Sequence, residues 1–228
     1  MATKQSMEFF GEALLSYFLG GREKFYFKMP SGEIYEHHLK RYFRKATQIA
    51  KSERKLISLS YGDILDVGCA TSNYTALLSK RGKVLGIDIS KNVTDVAKMA
   101  GRKDCIVADI FTFKPKKKYD TITFLENNLG LGGSVDKTKK LLKKVSSILK
   151  DDGQILAVSK QLNNQKYFVR KLTPIWKKKV GPEFAWINFN IDFLSDLCKK
   201  EGLHLELLQA NRYTYLIRIV KNKLLKRK

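Results

Sequence analysis

Between residues 63 and 158 the chain repeats one pattern: a short, almost wholly apolar run, then a stretch with helical spacing, then the next apolar run. The apolar runs are 63–67, 83–88, 105–109, 121–125 and 155–158. Runs this short and this apolar read as strands covered on both faces, and helices between successive strands make the sheet parallel. Thr71 or Ser72 is expected to cap a helix carrying Ala76, Leu77 and Leu78 that stops before Gly82. Ser90 and Asn92 offer caps for a helix through Val96, Ala97 and Met99, ended by Gly101. Ser134 caps a longer helix with Leu141, Leu142, Val145 and Leu149 on its apolar side, and residues 151–153 are expected to turn into the fifth strand. The fold class is therefore α/β.

The flanks differ. Residues 1–60 have helical spacing at Phe9, Leu14, Leu15, Phe18 and Leu19, and again from Leu39 through Tyr42, Phe43, Ala46 and Ile49, with turns at Gly20-Gly21 and 30–32. Residues 161–190 look irregular, with six Lys or Arg against one acid, plus Trp176 and Trp186. A helix over about 192–201 precedes two apolar runs, 204–208 and 213–220, whose tight connection demands an antiparallel pair. The tail 221–228 is basic and expected to fray. The expected organisation is a helical N-terminal cap, 1–60, on an α/β domain, 61–228, with 161–190 as a cap insert.

Composition narrows the setting. The longest run free of Asp, Glu, Lys and Arg is 67–79, short of the roughly 18 residues of a membrane span. Glu8 and Glu12 break any signal-peptide core. Cys69, Cys105 and Cys198 are too few and too scattered for a disulfide framework or zinc spacing, so a reducing cytoplasm is expected and no metal. The net charge of +22 keeps RNA in play as a partner. Of the 44 basic residues 34 are Lys, which supplies charge without base readout, so a solvated basic surface is equally open.

The chemistry sits where strands meet helices. The first strand runs into Asp66-Val67-Gly68-Cys69-Ala70, a tight turn of small residues that lets backbone approach a ligand. The second strand ends in Asp88, 22 residues after Asp66, where an acid takes both hydroxyls of a ribose. A dinucleotide turn needs G-x-G-x-x-G; here those positions hold Gly68, Ala70 and Asn73, which argues against a pyrophosphate. Asp109 closes the third strand, where an adenine amino group is within reach.

These elements resemble the class I S-adenosylmethionine-dependent methyltransferases over about residues 60–220. The residues that carry the likeness are 66–70, Gly86-Ile87-Asp88-Ile89-Ser90, Ala108-Asp109-Ile110, 120–122 and Asp151-Asp152-Gly153. Residues 126–134 resemble one subgroup, as do His38 and Tyr42-Phe43-Arg44 upstream. The resemblance implies a Rossmann-like, doubly wound seven-stranded sheet, mostly parallel with an antiparallel last strand, and S-adenosylmethionine as cofactor. It assigns Gly68, Asp66, Cys69 and Ala70 to the methionine end, Asp88 to the ribose, Asp109 and Ile110 to the adenine, and Asn127 to the neighbourhood of the sulfonium. Tyr42, Arg44, Ile89 and Glu126 join them as cofactor-binding candidates. Ala70 and Ser72 stand where the family usually has glycines.

The acceptor is expected to be a small molecule enclosed by the cap and the insert. His38, Asn128 and Trp186 are acceptor-side candidates, and His37, His38, Tyr35 and Glu126 candidate bases. Trp176 is a second candidate wall. The alternatives are an RNA methyltransferase, on the strength of the basic loops, and a non-catalytic protein that binds cofactor or nucleic acid.

Overall fold

The computed structural model describes residues 2–162 and 164–222. Its centre is a seven-stranded sheet built from β3 (Gly62–Val67), β4 (Gly82–Asp88), β5 (Cys105–Val107), β6 (Tyr119–Phe124), β7 (Leu149–Lys160), β11 (Leu203–Ala210) and β12 (Thr214–Lys221). The strand order is β11-β12-β7-β6-β3-β4-β5. β3 to β7 are parallel, and β12 runs antiparallel to both of its neighbours. Alternation along each strand divides the core in two. Ile155, Ala157 and Ile217 pack under α5 (Val135–Ile148) and α6 (Ile191–Lys200). Leu156, Leu216 and Ile64 pack on the other face, beside α2 (Lys51–Ser58) and α3 (Thr75–Leu78). Each fully buried Leu or Ile contributes about 1.5–3 kcal/mol. Helix starts follow their caps: Ser90 accepts from Val93 N–H at the head of α4 (Lys91–Met99), and Ser134 from Lys137 N–H at the head of α5.

The cap is not all helical. After α1 (Lys4–Phe18) come β1 (Phe25–Lys28) and β2 (Ile34–Glu36), and the segment expected to be irregular forms β8 (Tyr167–Trp176), β9 (Lys179–Val180) and β10 (Phe184–Phe189). These make a second, antiparallel sheet ordered β10-β8-β1-β2, with β9 on β8. The signal in β1 was present: Phe25-Tyr26-Phe27 are strong strand formers whose burial alternates. Pro174 argued against β8, since proline cannot donate to a ladder, and its strand partner Phe27 lies far upstream in the chain. The expected helix from Leu39 is two 3-10 turns, Leu39–Phe43 and Ala46–Gln48, separated by extended Arg44 and Lys45. Thr71 and Ser72 do not cap α3. Ser72 takes a positive φ of 59°, which postpones the helix until after Tyr74. Residues 151–153 run inside β7, where the register against β6 shifts, and do not form a free turn. β5 ends at Val107, so Asp109 lies just beyond it. The expected frayed tail beyond residue 222 lies outside the described residues. No helix among the described residues is long and apolar enough to cross a membrane.

Candidate functional site

The turn after β3 is held by one carbonyl: Ile87 O accepts from Gly68 N–H at 2.9 Å and Cys69 N–H at 3.1 Å. Gly68 has φ +69°, and a Cβ there would lie 2.6 Å from Asn128 Nδ2. That amide donates to Gly68 O (2.8 Å) and Val67 O (3.1 Å), so Asn128 braces the turn. Ala70 and Ser72 adopt φ of 49° and 59°, the left-handed region that favours glycine. The two departures from the expected glycines therefore keep a glycine-type backbone, at a cost of about 1–2 kcal/mol per residue. Part of that cost is offset at Ala70, whose N–H donates to Asp88 Oδ2 at 3.1 Å. Ser90 N–H donates to the other oxygen, Oδ1, at 3.0 Å.

Three acids line this end of one cavity: Asp66, Asp88 and Asp109. Asp66 is 2% exposed. Thr123 Oγ1 donates to its Oδ1 at 2.7 Å, while Oδ2 is buried without a hydrogen-bond partner. Burial pushes the Asp66 carboxyl up to about 6, and does the same at Asp88 against its backbone donors. Asp109 accepts from Phe111 N–H at 2.9 Å, beside buried Ile110, and Ile89 also lines the cavity. Cys69 packs against Cys105 beneath Gly86, and burial raises its thiol, so it is a packing residue, not a nucleophile.

The chain leaving β6 is strained. Glu126 and Asn127 have φ of 52° and 68°, in succession and without a glycine. Strain of this kind persists only where surrounding contacts over-determine it, and here they do. Arg41 and Arg44 each ion-pair with Glu126, and Tyr74 OH donates to it at 2.9 Å. Burial would raise the Glu126 carboxyl, but the two guanidiniums outweigh it and hold it below the usual range. Asn127 Nδ2 donates to Asn188 at 2.9 Å, its Oδ1 accepts from Lys160 N–H at 3.0 Å, and its carbonyl accepts from Trp186 Nε1 at 3.0 Å. Asn127 thus ties β6 to β7 and to the cap.

From the cap side, His37 and Tyr42 share a hydrogen bond of 2.9 Å, and Thr71 hydroxyl donates to Tyr42 O. Burial, and then the charge of Arg41, pushes the His37 imidazole down to about 4, so it is neutral at pH 7. His38 is exposed, paired with Glu36 at 3.0 Å, and does not line the cavity. Its neighbour His37 does. Trp186 also lines the cavity, whereas Trp176 is in the cap core against Phe9.

The cavity measures about 660 Å³ and runs continuously from the three acids to the cap sheet. Tyr35, Asn128, Tyr42 and Arg44 reach it too. Further charged or hydrogen-bonding residues in its wall that were not expected from sequence include Arg41, Glu53, Asn73, Tyr74, Lys160 and Arg170. Arg41 lies one residue before the Tyr42-Phe43-Arg44 element. Lys160 and Arg170 had no local signal, because strand pairing across the cap brings them in.

A family model described as a methyltransferase domain matches residues 64–153. An uncharacterised protein of Methanocaldococcus jannaschii is 28% identical over 170 residues, which cover 72% of this chain and 64% of that protein's length. The ubiquinone biosynthesis O-methyltransferase of Pelagibacter ubique is 27% identical over 197 residues, covering 78% of this chain and 75% of the relative. A Bacteroides fragilis SAM-dependent methyltransferase, solved with S-adenosyl-L-homocysteine, has the same fold: TM-score 0.84 over 97% of each chain, at 23% identity. The domain match begins in β3 and ends in β7, on a sheet whose order and single reversed strand follow the expected pattern. Residues 64–153 thus match a methyltransferase domain, and the chain as a whole has the Rossmann-like fold of a class I S-adenosylmethionine-dependent methyltransferase.

Proposed function

We propose that this chain methylates a small-molecule acceptor held between the central sheet and the cap, which we take as residues 1–60 together with 161–190. One observation carries the reading: the cavity that begins at Asp66 and Asp88 continues beneath β1, β8 and β10, so its far end is roofed. Its volume falls within the roughly 300–1,000 Å³ of small-ligand pockets. The Pelagibacter relative, by its name, acts in the biosynthesis of a small molecule.

The residues fit the cofactor. Asp66 Oδ2 is a buried acceptor without a donor, suited to the ammonium of the methionine end. Asp88 sits in the cavity wall as the ribose acceptor, with its carboxylate already oriented by two backbone N–H groups. Ile89, Asp109 and Ile110 serve the adenine side, and the open face of the Gly68 to Ala70 turn serves the backbone contacts. S-adenosylmethionine, when bound, supplies a methyl group on a positive sulfur, ready for in-line displacement. The protein's task is then alignment and exclusion of water. Arg41, Arg44 and Tyr74 fix Glu126, and Asn127 locks β6 to the roof, so the floor and lid keep one spacing. Where the acceptor starts protonated, His37 is a neutral imidazole in the cavity wall, and its value of about 4 makes it a weak base there.

A second reading rests on the charge of +22, which favours RNA. Methyl incorporation from labelled cofactor, into a metabolite extract and into total RNA at two salt concentrations, separates them. Phosphate contacts lose affinity at about 0.7 log units per contact per log unit of salt on single strands. Labelling is expected in the metabolite fraction at both salts. Stoichiometric labelling of one RNA position that survives high salt overturns the small-molecule reading.

A further inference from the structure

Three cations of the cavity wall, Arg41, Lys160 and Arg170, lie near one another on the cap side, away from the Asp66 and Asp88 turn, with Glu53 and Glu126 beside Arg41. Glu126 is the carboxylate that acts on Lys160, and Arg41 and Arg44 already bind it. Lys160 and Arg170 make no ion pair among the described residues. The Lys160 backbone is fixed at the end of β7, its N–H pinned by Asn127, and its side chain is exposed. Arg170 donates to Tyr35 OH at 2.7 Å, with its guanidinium 5.9 Å from the Tyr35 ring centre. Arg170 and Trp186 are opposite one another in the β8–β10 register, so they share a sheet face.

Resting on the acceptor-cavity reading above, we propose that this end is an oxyanion subsite. Lys160 and Arg170 hold a carboxylate or phosphate group of the acceptor, and Trp186 packs against its apolar part. Lys160, exposed, and Arg170, half-buried, repel one another, and with Glu126 already taken by Arg41 and Arg44 an incoming anion relieves that repulsion. Desolvation and the charges of Arg170 and Arg41 already disfavour the protonated Lys160. The planar fork of Arg170 suits bidentate carboxylate or phosphate, and Tyr35 has already oriented it, so less freedom is lost on binding. The same field repels an ammonium-bearing acceptor.

The test uses the chain saturated with S-adenosylhomocysteine and titrated calorimetrically with benzoate, phenyl phosphate, benzamide and benzylamine. Both anions are expected to bind more tightly than benzamide, by about tenfold for a charged hydrogen bond, and benzylamine least. Lys160→Gln and Arg170→Gln are each expected to cost about tenfold for the anions, with Arg170→Lys intermediate and benzamide unmoved. The tighter of the two anionic arms tells carboxylate from phosphate. Benzamide binding as well as the anions, anions that ignore both Gln substitutions, or no anion binding at millimolar concentration overturns the subsite. Homocysteine-ligand binding by all three variants is expected to match the wild type. Failure of that ligand to bind the wild type strikes the methyltransferase reading instead, and the probe series on the free chain still judges the subsite.

Discussion

Replacing Asp66 with Asn separates what the acid costs the fold from what it does for the cofactor. The carboxylate is 2% exposed and has one hydrogen bond, from Thr123 at 2.7 Å. Burial raises its pKa from the ordinary 3.8 to about 6. The folded chain therefore holds this proton more tightly than the unfolded chain does. Stability contributed at this site falls as pH rises from 3.8 through about 6, and is level above. At 1.36 kcal/mol per pKa unit, the ionised wild type gives up about 3 kcal/mol above pH 6. The Asn side chain removes that penalty but leaves amide hydrogens without an acceptor, at about 1–3 kcal/mol. Asp66→Asn is thus expected to be as stable as wild type at pH 8, or more stable by up to about 2 kcal/mol. The ionisation part of that advantage shrinks to about half at pH 5. Cofactor affinity moves the other way, since a charged hydrogen bond contributes about 1.5–3 kcal/mol, or tenfold to a hundredfold in binding. Urea denaturation at pH 5 and 8, with calorimetry using S-adenosylhomocysteine, reads both. A variant about 2 kcal/mol less stable at both pH values, or one that binds the ligand like wild type, refutes the reasoning.

Asp88→Ala is expected to lose cofactor binding; the Ala70 and Ser90 N–H groups lose their acceptor, at about 1–3 kcal/mol each, while about 3 kcal/mol of ionisation penalty disappears, so stability at pH 8 falls by no more than about 3 kcal/mol. A cofactor affinity like that of the wild type contradicts the ribose assignment. Affinity for S-adenosylhomocysteine should weaken as pH drops through about 6, where Asp66 and Asp88 take up protons; a flat titration series from pH 8 to pH 5 contradicts this. Glu8→Ala should destabilise by about 1–2 kcal/mol, since Glu8 accepts from Ser90 Oγ (2.9 Å), Lys91 N–H (2.7 Å) and Asn92 N–H (3.2 Å) at the head of α4. A thermal melt like that of wild type contradicts that role.

The central sheet was legible because its signals are local. Apolar runs, capping Ser90 and Ser134 and the short Asn211-Arg212 connection each act within a few residues. The acids at 66, 88 and 109 were legible because they lie at or just beyond the C-terminal ends of strands. The second sheet was not, because the pairing that joins its N-terminal hairpin to its C-terminal strands, β1 to β8, spans most of the chain, and no short window contains both partners. The acceptor end inherits that gap. His38 stood out through its neighbours, yet the backbone turns it to solvent and His37 inward. Asn128, expected near the acceptor, spends its amide on the Gly68 turn, and Arg170 enters only because β8 lies beside β10. Ala70 and Ser72 looked like departures from the glycine pattern, whereas their positive φ shows the turn conformation retained.

Calorimetric titration of the wild-type chain with S-adenosylhomocysteine and, separately, with NAD addresses the account most directly. Three acids around a turn built for close approach, without the glycines a pyrophosphate needs, predict a single saturable site for the sulfur ligand and no heat from NAD. Saturable NAD binding with no signal from S-adenosylhomocysteine would contradict it.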